Sequence, residues 1–355
     1  MERITFILEQ HTPMLHFQPL QEKAGLRATE VKPRFDRWLV GREWNGNYNA
    51  CKLHLIGYQQ DKDDEYHEKF DTGYRALNYK MRIEPQKDIT SMVSMPKIPA
   101  KKRGERITHQ LLMTPLETTH AYPCQKQSVI MSNIGGRLPD EVVNFRLYDK
   151  VEITIATEDS VLADVVRRRF EEFIISVNFG NRKSKGFGSF AVSEVDGQSV
   201  EGYDVSSPWI ITLSLQSKSN YPMSIDSAYK DLFAIINKLW RSLKSNFRGN
   251  RKSNKSVLLG MDSNTLGNVS RIPSPIIFKP IVLEKSSRQW DVAMEVFYDE
   301  DVISKACSSG AKAQYDIYIN DLKRIICQAD MTEFAEKLQL SNSLTKLEII
   351  TLDEL

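Results

Sequence analysis

The pattern of apolar and polar positions predicts alternating strands and helices in the first part of the chain. Short alternating or continuous apolar runs are typical of strands, and apolar residues at helical spacing indicate helices. The predicted strands are Ile4 to Leu8, Ala50 to Gly57, Lys150 to Thr157 and Phe187 to Val192. The predicted helices run from Ala28 to Val40 and from a cap at Asp159 or Ser160 to about Val177. The order is β-α-β-β-α-β.

The second part of the chain repeats this order. Its predicted strands are Trp209 to Gln216, Pro275 to Leu283, Trp290 to Tyr298 and Thr345 to Leu352. Its predicted helices are Ser224 to Phe247 and about Leu322 to Leu340, with a break near Asp330. Element order of this kind is that of the split βαβ, or ferredoxin-like, unit. We therefore predict an α+β protein with two tandem ferredoxin-like (RRM-like, βαββαβ) domains.

The predicted domains are residues 1–205, the first half, and residues 206–355, the second half. A large insertion at about 58–145 is expected in the first half. It contains an acidic stretch from Gln60 to Asp71, a possible strand from Leu77 to Glu84, and a proline-flanked basic segment from Pro96 to Arg106. The acids lack ligand spacing, so we interpret them as a solvated loop rather than a metal site.

One glycine-rich stretch stands out between the second predicted helix and the strand that follows it. Phe179 to Phe190 reads FGNRKSKGFGSF and combines three glycines with three cations. These are Gly180, Gly186 and Gly188, and Arg182, Lys183 and Lys185. Glycine permits positive φ, and exposed amides in such turns attract anions. A phosphate loop would lead from strand to helix, which is the reverse order. The stretch predicts either a polyanion-binding loop or a basic surface turn.

Composition limits the function classes. Across 355 residues the formal net charge is only +2, so a nucleic-acid site must be a local patch. The four cysteines are far apart, which favours free thiols in a reducing compartment. The first residues, MERITFILEQ, do not form a signal peptide, and no apolar stretch has the length of a membrane span. We expect a cytoplasmic protein without membrane contact.

The glycine loop resembles the G-x-R-x-x-K-G-F-G-S/x-F signature of the RAMP superfamily, the RNA-binding proteins of CRISPR effector complexes. Three other segments are similar to that family. They are the Thr12-Pro13-Met14 turn, the segment LRATEVKPRFDRWL from Leu26 to Leu39, and Arg271-Ile-Pro-Ser-Pro275. Pro33 stands where the family has glycine. Because the loop closes the first of two domains, the chain is most similar to the first subunit of the Cmr module of type III-B complexes.

The resemblance implies a non-catalytic RNA-binding subunit of a type III CRISPR ribonucleoprotein. Its implied partners are guide RNA, target RNA or both, together with other effector subunits, with no small-molecule cofactor and no metal. Cations would contact phosphates, and Phe187 would stack on a base, although the alternation of the strand requires one of Phe187 and Phe190 to face the core. The candidate RNA-binding residues are Arg27, Lys32, Arg34, Arg37, Gly180, Arg182, Lys183, Lys185, Gly186, Phe187, Gly188 and Arg271.

Two other functions stay open at the level of sequence. Some superfamily members cleave CRISPR RNA without a metal through a histidine, and His11 or His16 would be the general acid or base here. A metal-dependent route through Asp36 is less consistent with the pattern, which favours a salt bridge from Asp36 to Lys32 or Arg37. The third possibility is a protein-interaction scaffold whose basic loop contacts an acidic neighbour. Fold class alone does not separate these functions.

Overall fold

The computed structural model describes residues 1–14, 25–58, 76–85, 89–99, 108–112, 130–135, 142–148, 150–180, 183–200, 209–247, 274, 276–298 and 311–351. In chain order its elements are β1 (Glu2–Gln10), α1 (Ala28–Trp44), a 3-10 turn (Lys52–His54), β2 (Lys80–Pro85), β3 (Ile89–Pro99), β4 (Thr108–Leu112), β5 (Ile130–Gly135), β6 (Val142–Tyr148), β7 (Val151–Thr157), α2 (Ser160–Ile175), β8 (Phe190–Val195), β9 (Gln198–Ser199), β10 (Trp209–Gln216), α3 (Ile225–Phe247), β11 (Ile276–Lys285), β12 (Gln289–Tyr298), α4 (Ala311–Cys327), α5 (Met331–Leu338) and β13 (Ser343–Thr351).

The first half is built on an antiparallel sheet with the strand order β2-β7-β1-β8-β9. Alternate residues of β1, including Ile4, Phe6 and Leu8, are buried in one core with α1 and α2. The ring centroids of Phe6 and Phe170 in α2 are 4.3 Å apart. Asp159 caps α2 as predicted, because its carboxylate accepts a 3.0 Å hydrogen bond from the Leu162 amide.

The strand predicted from Ala50 to Gly57 is wrong. In a strand, Cys51, Leu53 and Leu55 would share one face of the sheet. Instead Cys51 and Leu55 are buried while Leu53 is 64% exposed, and the chain forms a 3-10 turn. The sheet takes its outer strand from β2, close to the possible strand at Leu77 to Glu84. A separate four-stranded sheet, ordered β5-β4-β3-β6, then lies between β2 and β7 in the chain.

The second half has an antiparallel sheet with the order β11-β12-β10-β13. Its core is formed by apolar residues of α3, α4 and α5 against this sheet, among them Phe233, Trp290 and Tyr318. The predicted break near Asp330 is confirmed, since the Asp330 carboxylate caps α5 by accepting a 2.9 Å hydrogen bond from the Glu333 amide. The α4 helix begins at Ala311, eleven residues before its predicted start.

The α+β class is confirmed, with antiparallel sheets and helices. Residues 201–208, where the predicted domain boundary falls, lie outside the described residues, so that boundary stays a prediction. The basic residues 100–107 and residues 248–256 also lie outside the described residues. None of the helices in the described part of the chain combines the length and apolar character that a membrane span requires.

Candidate nucleic-acid interface

The glycine loop is closed by hydrogen bonds at its base. The Phe179 amide donates to the Gly188 carbonyl at 2.9 Å, and Asn178 and Ser189 form an antiparallel bridge. Gly180, Gly186 and Gly188 have φ values of 77°, 82° and 68°. A Cβ at Gly188 would lie 2.0 Å from the Phe179 carbonyl oxygen. Two requirements therefore select glycine at this position, the positive φ and the close approach of the backbone.

The Thr12-Pro13 turn packs directly against the base of the loop. The Thr12 hydroxyl donates to the Gly186 carbonyl at 2.7 Å and accepts from the Ser189 amide at 2.9 Å. The Gly188 amide donates to the Pro13 carbonyl at 2.9 Å. Two segments that are about 175 positions apart in sequence therefore form one buried unit.

Phe187 was predicted to stack on an RNA base, but its side chain is buried. Its side chain is 2% exposed and stacks on Phe233 of α3, with ring centroids 3.9 Å apart and an interplanar angle of 5°. The ring belongs to the core of the second half rather than to solvent. Gly186 is likewise buried, because a Cβ there would lie 2.9 Å from the Pro280 side chain. Phe187 thus offers no face to an RNA base, and the C-terminal part of the loop joins the two halves.

A buried lysine completes this joint, and sequence reasoning did not single it out. The Lys279 ammonium on β11 donates to three first-half carbonyls, Ile174 at 2.9 Å, Val177 at 2.8 Å and Phe190 at 2.6 Å. Burial holds the pKa of Lys279 well below its usual value, while Glu295, its cross-strand neighbour, opposes that shift. The available signal was a lysine within the apolar run from Pro275 to Leu283.

The N-terminal part of the loop forms its outer rim. Lys183 and Lys185 are partly exposed there, and the Lys185 ammonium lies 5.7 Å from the Trp240 ring centroid. Arg182 lies outside the described residues. The Gly180 amide donates to the Glu30 carboxylate at 2.7 Å, so this amide already has an anionic partner within the chain. The rim presents its charge through lysine side chains rather than through the Gly180 amide.

The structure brings the start of α1 next to this rim. The Arg34 guanidinium donates to the Asn178 carbonyl at 2.8 Å and lies 4.8 Å from the Phe179 ring centroid. Arg27, the N-cap residue that precedes α1, and Arg37 within α1 are exposed, and the Arg37 Nε donates to the Pro33 carbonyl at 3.2 Å. We name Arg27, Arg34, Arg37, Lys183 and Lys185 the basic rim.

Lys32 was predicted to bind RNA, but its ammonium group is engaged by other groups of the chain. Its ammonium donates to Asp36 and to the Leu77 carbonyl, each at 2.9 Å, and lies 3.8 Å from the Tyr79 ring centroid. Burial lowers the pKa of Lys32 and raises that of Asp36. Asp36 is fully buried and also accepts from the Tyr79 hydroxyl at 2.6 Å. Lys32 therefore stabilises the fold, and the predicted salt bridge to Asp36 is confirmed.

His11 does not have the surroundings of a catalytic base. It is 2% exposed, its Nδ1 accepts a hydrogen bond from the Val282 amide at 3.2 Å, and its carbonyl accepts from the Tyr229 hydroxyl at 2.8 Å. Burial, assisted by the charges of Lys279 and Lys285, lowers the pKa of His11 to about 3. The His11 imidazole is thus neutral at ordinary pH and buried between the halves. His16 and Arg271 lie outside the described residues.

The metal-dependent alternative would require a group of ligating side chains, which can be looked for in the described part of the chain. Within those residues, no three His, Cys, Asp or Glu side chains are grouped as metal ligands would be. The buried carboxylate of Asp36 is engaged by Lys32 and Tyr79 instead.

The glycine loop, the turn that supports it and the α+β architecture are the features that the resemblance to RAMP proteins implies. The chain belongs to the Cmr1 N-terminal domain family, whose model matches residues 1–247. No curated protein sequence matches the chain significantly.

Three solved structures have a low similarity to the chain. A chain of a cryo-EM structure of type III-B Cmr-beta bound to cognate target RNA is 11% identical, with 56% of this chain and 60% of that chain covered and a TM-score of 0.31. Apo Cmr1 from Pyrococcus furiosus is 9% identical, with 84% and 89% covered and a TM-score of 0.34. A chain of Cmr-beta with target RNA, AMPPnP and ssDNA is 10% identical, with 89% and 99% covered and a TM-score of 0.40. The chain spans 60% of the length of the first of these, and the family assignment depends on the match over residues 1–247.

Proposed function

We propose that this protein is a non-catalytic RNA-binding subunit of a type III-B CRISPR effector complex. The observation that carries the proposal is that Arg34 of α1 contacts the glycine loop, whose rim carries the partly exposed Lys183 and Lys185 beside the joint between the halves. Membership of the Cmr1 N-terminal domain family supports it. The partners are guide RNA, target RNA or both, and other subunits of the complex.

The basic rim is the proposed contact surface for phosphates. Arg27, Arg37, Lys183 and Lys185 extend into solvent to different degrees, while Arg34 is anchored to the loop through the Asn178 carbonyl. Arginine and lysine attract the phosphate backbone without reading its sequence. Arg182 and Arg271 remain proposed contacts on the strength of the sequence. Lys32 and Phe187 are left out, because both are engaged inside the fold.

We also infer that both halves are ferredoxin-like units. The support is that each half has four principal strands in the same antiparallel order, β2-β7-β1-β8 in the first and β11-β12-β10-β13 in the second. In each, the first and third strands in chain order lie side by side at the centre of the sheet. Helices follow the first and third strands in both halves, as the split βαβ order requires.

A non-catalytic role is consistent with the surroundings of His11. Proton transfer requires a histidine that reaches the substrate and titrates near the working pH. His11 meets neither condition, because it is buried and its pKa is about 3. The proposal assigns the positioning of RNA to this chain and cleavage to another subunit.

Salt dependence of RNA binding by the full chain tests the proposal. Each neutralised phosphate of single-stranded RNA contributes a slope of about −0.7 in log affinity against log salt. Five contacts from the basic rim would give a slope of about −3.5, and the double variant Lys183→Ala, Lys185→Ala would reduce its magnitude by about 1.4. The control variant Lys337→Ala, Lys346→Ala removes two exposed cations of the second half and should leave the slope unchanged. A slope near zero for the unsubstituted chain would contradict RNA binding.

A further inference from the structure

Two turns of the second half meet at a surface remote from the loop rim. The β10–α3 connection and the β11–β12 turn are joined by three hydrogen bonds. The Ser217 amide donates to the Arg288 carbonyl at 2.9 Å, the Met223 amide to the Ser287 carbonyl at 2.7 Å, and the Arg288 guanidinium to the Ser219 carbonyl at 3.2 Å. We name residues 217–223 and 285–288 the tyrosine surface, after Tyr221. These hydrogen bonds fix the position of the two turns relative to each other.

Tyr221 projects from an ordered backbone. Its carbonyl accepts from the Ser217 hydroxyl at 2.9 Å, and its amide donates to the Ser219 hydroxyl at 3.3 Å. Pro222 follows and restricts the chain further. The residue is nevertheless 77% exposed, and among the described large apolar side chains only the terminal Met1 is more exposed. The fold therefore fixes the position of this ring without burying it.

The two turns that form the tyrosine surface carry positive charge. The tyrosine surface contains Lys218, Lys285 and Arg288 and has no Asp or Glu, although Glu284 and Asp226 flank it in sequence. Among the described residues, none of the three cations forms an ion pair with a carboxylate. By contrast, Arg169 on α2 is paired with both Glu43 and Glu172. The Lys218 ammonium instead donates to the Leu340 carbonyl at 2.7 Å, and its charge opposes the rise that burial causes in the pKa of Asp231. The Lys285 ammonium lies 5.2 Å from the Trp290 ring centroid.

The two ends of β11 separate the tyrosine surface from the basic rim. Lys185 forms a parallel bridge with Phe278, near the start of β11, whereas Lys285 ends that strand. Seven residues of strand correspond to a distance of about 23 Å. The two surfaces are therefore distinct contact points, and substitutions at one leave the side chains of the other in place.

An exposed aromatic ring among cations without carboxylate partners is suited to single-stranded nucleic acid. Stacking requires an unpaired base, and the flanking cations attract phosphates, so a duplex would satisfy only the charges. We propose that the tyrosine surface is a second site for single-stranded RNA, with Tyr221 stacking on one base and Lys218, Lys285 and Arg288 contacting the adjacent phosphates. This inference rests on the proposed function, because it assigns a second contact to the same RNA-binding chain.

The test compares Tyr221→Ala with Tyr221→Phe in the full chain. Binding of a fluorescent uridine oligonucleotide is measured by anisotropy at fixed salt, with Leu53→Ala as a control for removing an exposed apolar side chain elsewhere. Loss of one base–aromatic stack corresponds to about a 5- to 150-fold weaker affinity, which is the expectation for Tyr221→Ala. Tyr221→Phe keeps the ring and should recover most of that affinity. Ultraviolet cross-linking should yield an RNA adduct on the peptide that contains Tyr221.

The outcomes separate this inference from the proposed function. If Lys183→Ala, Lys185→Ala weakens RNA binding but Tyr221→Ala does not, the tyrosine surface is not an RNA site and the proposed function stands. If Tyr221→Ala has no effect on RNA affinity but prevents co-purification of another protein, the surface is a protein contact and the inference is overturned. Absence of RNA binding by the unsubstituted chain overturns both.

Discussion

Gly188 and Gly197 share a backbone conformation but have different surroundings. Their φ values are 68° and 81°, in the region that side chains disfavour. At Gly197 an added Cβ would have no heavy atom within 4 Å, whereas at Gly188 the Phe179 carbonyl oxygen would be 2.0 Å away. At the residue scale, only Gly188 of this pair is required by packing as well as by φ. It is the residue that allows the loop base to close.

Replacing each glycine by alanine separates these two requirements. Gly197→Ala should cost about 1–2 kcal/mol of unfolding free energy, which is the conformational term alone. Gly188→Ala should cost at least about 2 kcal/mol more, because the loop base must open to relieve a clash with a backbone atom. Urea denaturation of both variants measures the difference. Equal costs would show that the tight closure of the loop is not needed for stability.

At the scale of the element, the glycine loop has an exposed part and a buried part. Its rim carries the partly exposed Lys183 and Lys185, whereas the part from Gly186 to Phe190 is buried between the halves. Phe187 anchors the buried part on α3 through its stack with Phe233. The loop holds its cations in place because its other end is part of a core.

Substitution of Phe187 distinguishes a core residue from a base-stacking residue. Phe187→Ala should lower the unfolding free energy by about 3–5 kcal/mol, as for other buried aromatic truncations. Phe187→Leu keeps most of the apolar volume and should cost less than about 1.5 kcal/mol. Because the ring faces α3, Phe187→Leu should also leave RNA affinity unchanged in the anisotropy assay. A marked loss of RNA affinity in a stable Phe187→Leu variant would restore Phe187 as a stacking residue.

At the scale of the whole molecule, polar groups buried between the halves determine how the halves are joined. Lys279 reaches three carbonyls of the first half, and His11 accepts from Val282 of β11. Such groups are costly to bury without partners, so each constrains the relative position of the halves. The joint and the glycine loop share Asn178, whose side-chain amide donates to both Lys183 and Phe278 carbonyls at 2.7 Å.

The buried imidazole of His11 makes the joint sensitive to acid. In the unfolded chain His11 takes up a proton below its ordinary pKa of 6.5, whereas in the folded chain its pKa is about 3. The unfolded state therefore binds more protons between these values, and His11 reduces stability as the pH falls from about 6.5 toward 3. One such group changes the unfolding free energy by at most about 1.4 kcal/mol per pH unit.

The variant His11→Asn checks this contribution, since the asparagine oxygen can accept from the Val282 amide without titrating. Urea denaturation at pH 7 and at pH 4.5 should show a smaller loss of stability on acidification for the variant than for the unsubstituted chain. Equal losses would mean that the acid sensitivity comes from other groups.

The periodic segments were predictable because their apolar faces are local in sequence. Asp159 and Asp330 also marked helix starts correctly, since capping depends on residues only three positions apart. The error at Ala50 to Gly57 has a different origin. Cys51 and Leu55 face the core while Leu53 does not, and a short apolar run does not reveal which of its residues the rest of the chain will cover.

The candidate site was predicted only in part, because some of its contacts are local in sequence and others are not. Sequence located the glycine loop and the cations of α1, and the structure places Arg34 against Asn178 beside it. It did not reveal that Lys32 also donates to the Leu77 carbonyl and lies against the Tyr79 ring, or that Phe187 packs on Phe233. Those contacts join segments that are distant in sequence or halves of the chain that meet only in the fold. Lys279 was overlooked because its three acceptors lie about a hundred residues away.

The sequence by itself determined the α+β class, most of the strands and helices of the two principal sheets, the position of the glycine loop and its resemblance to a family signature. These depend on periodicity, capping and glycine spacing, which act over a few neighbouring residues. Only the tertiary structure decided which loop residues face solvent and which join the halves, and it turned His11 from a candidate base into a buried acceptor. The physical reason is that burial is set by what packs on a residue from elsewhere in the chain. Burial in turn fixes whether a side chain is available for binding and whether it carries a charge.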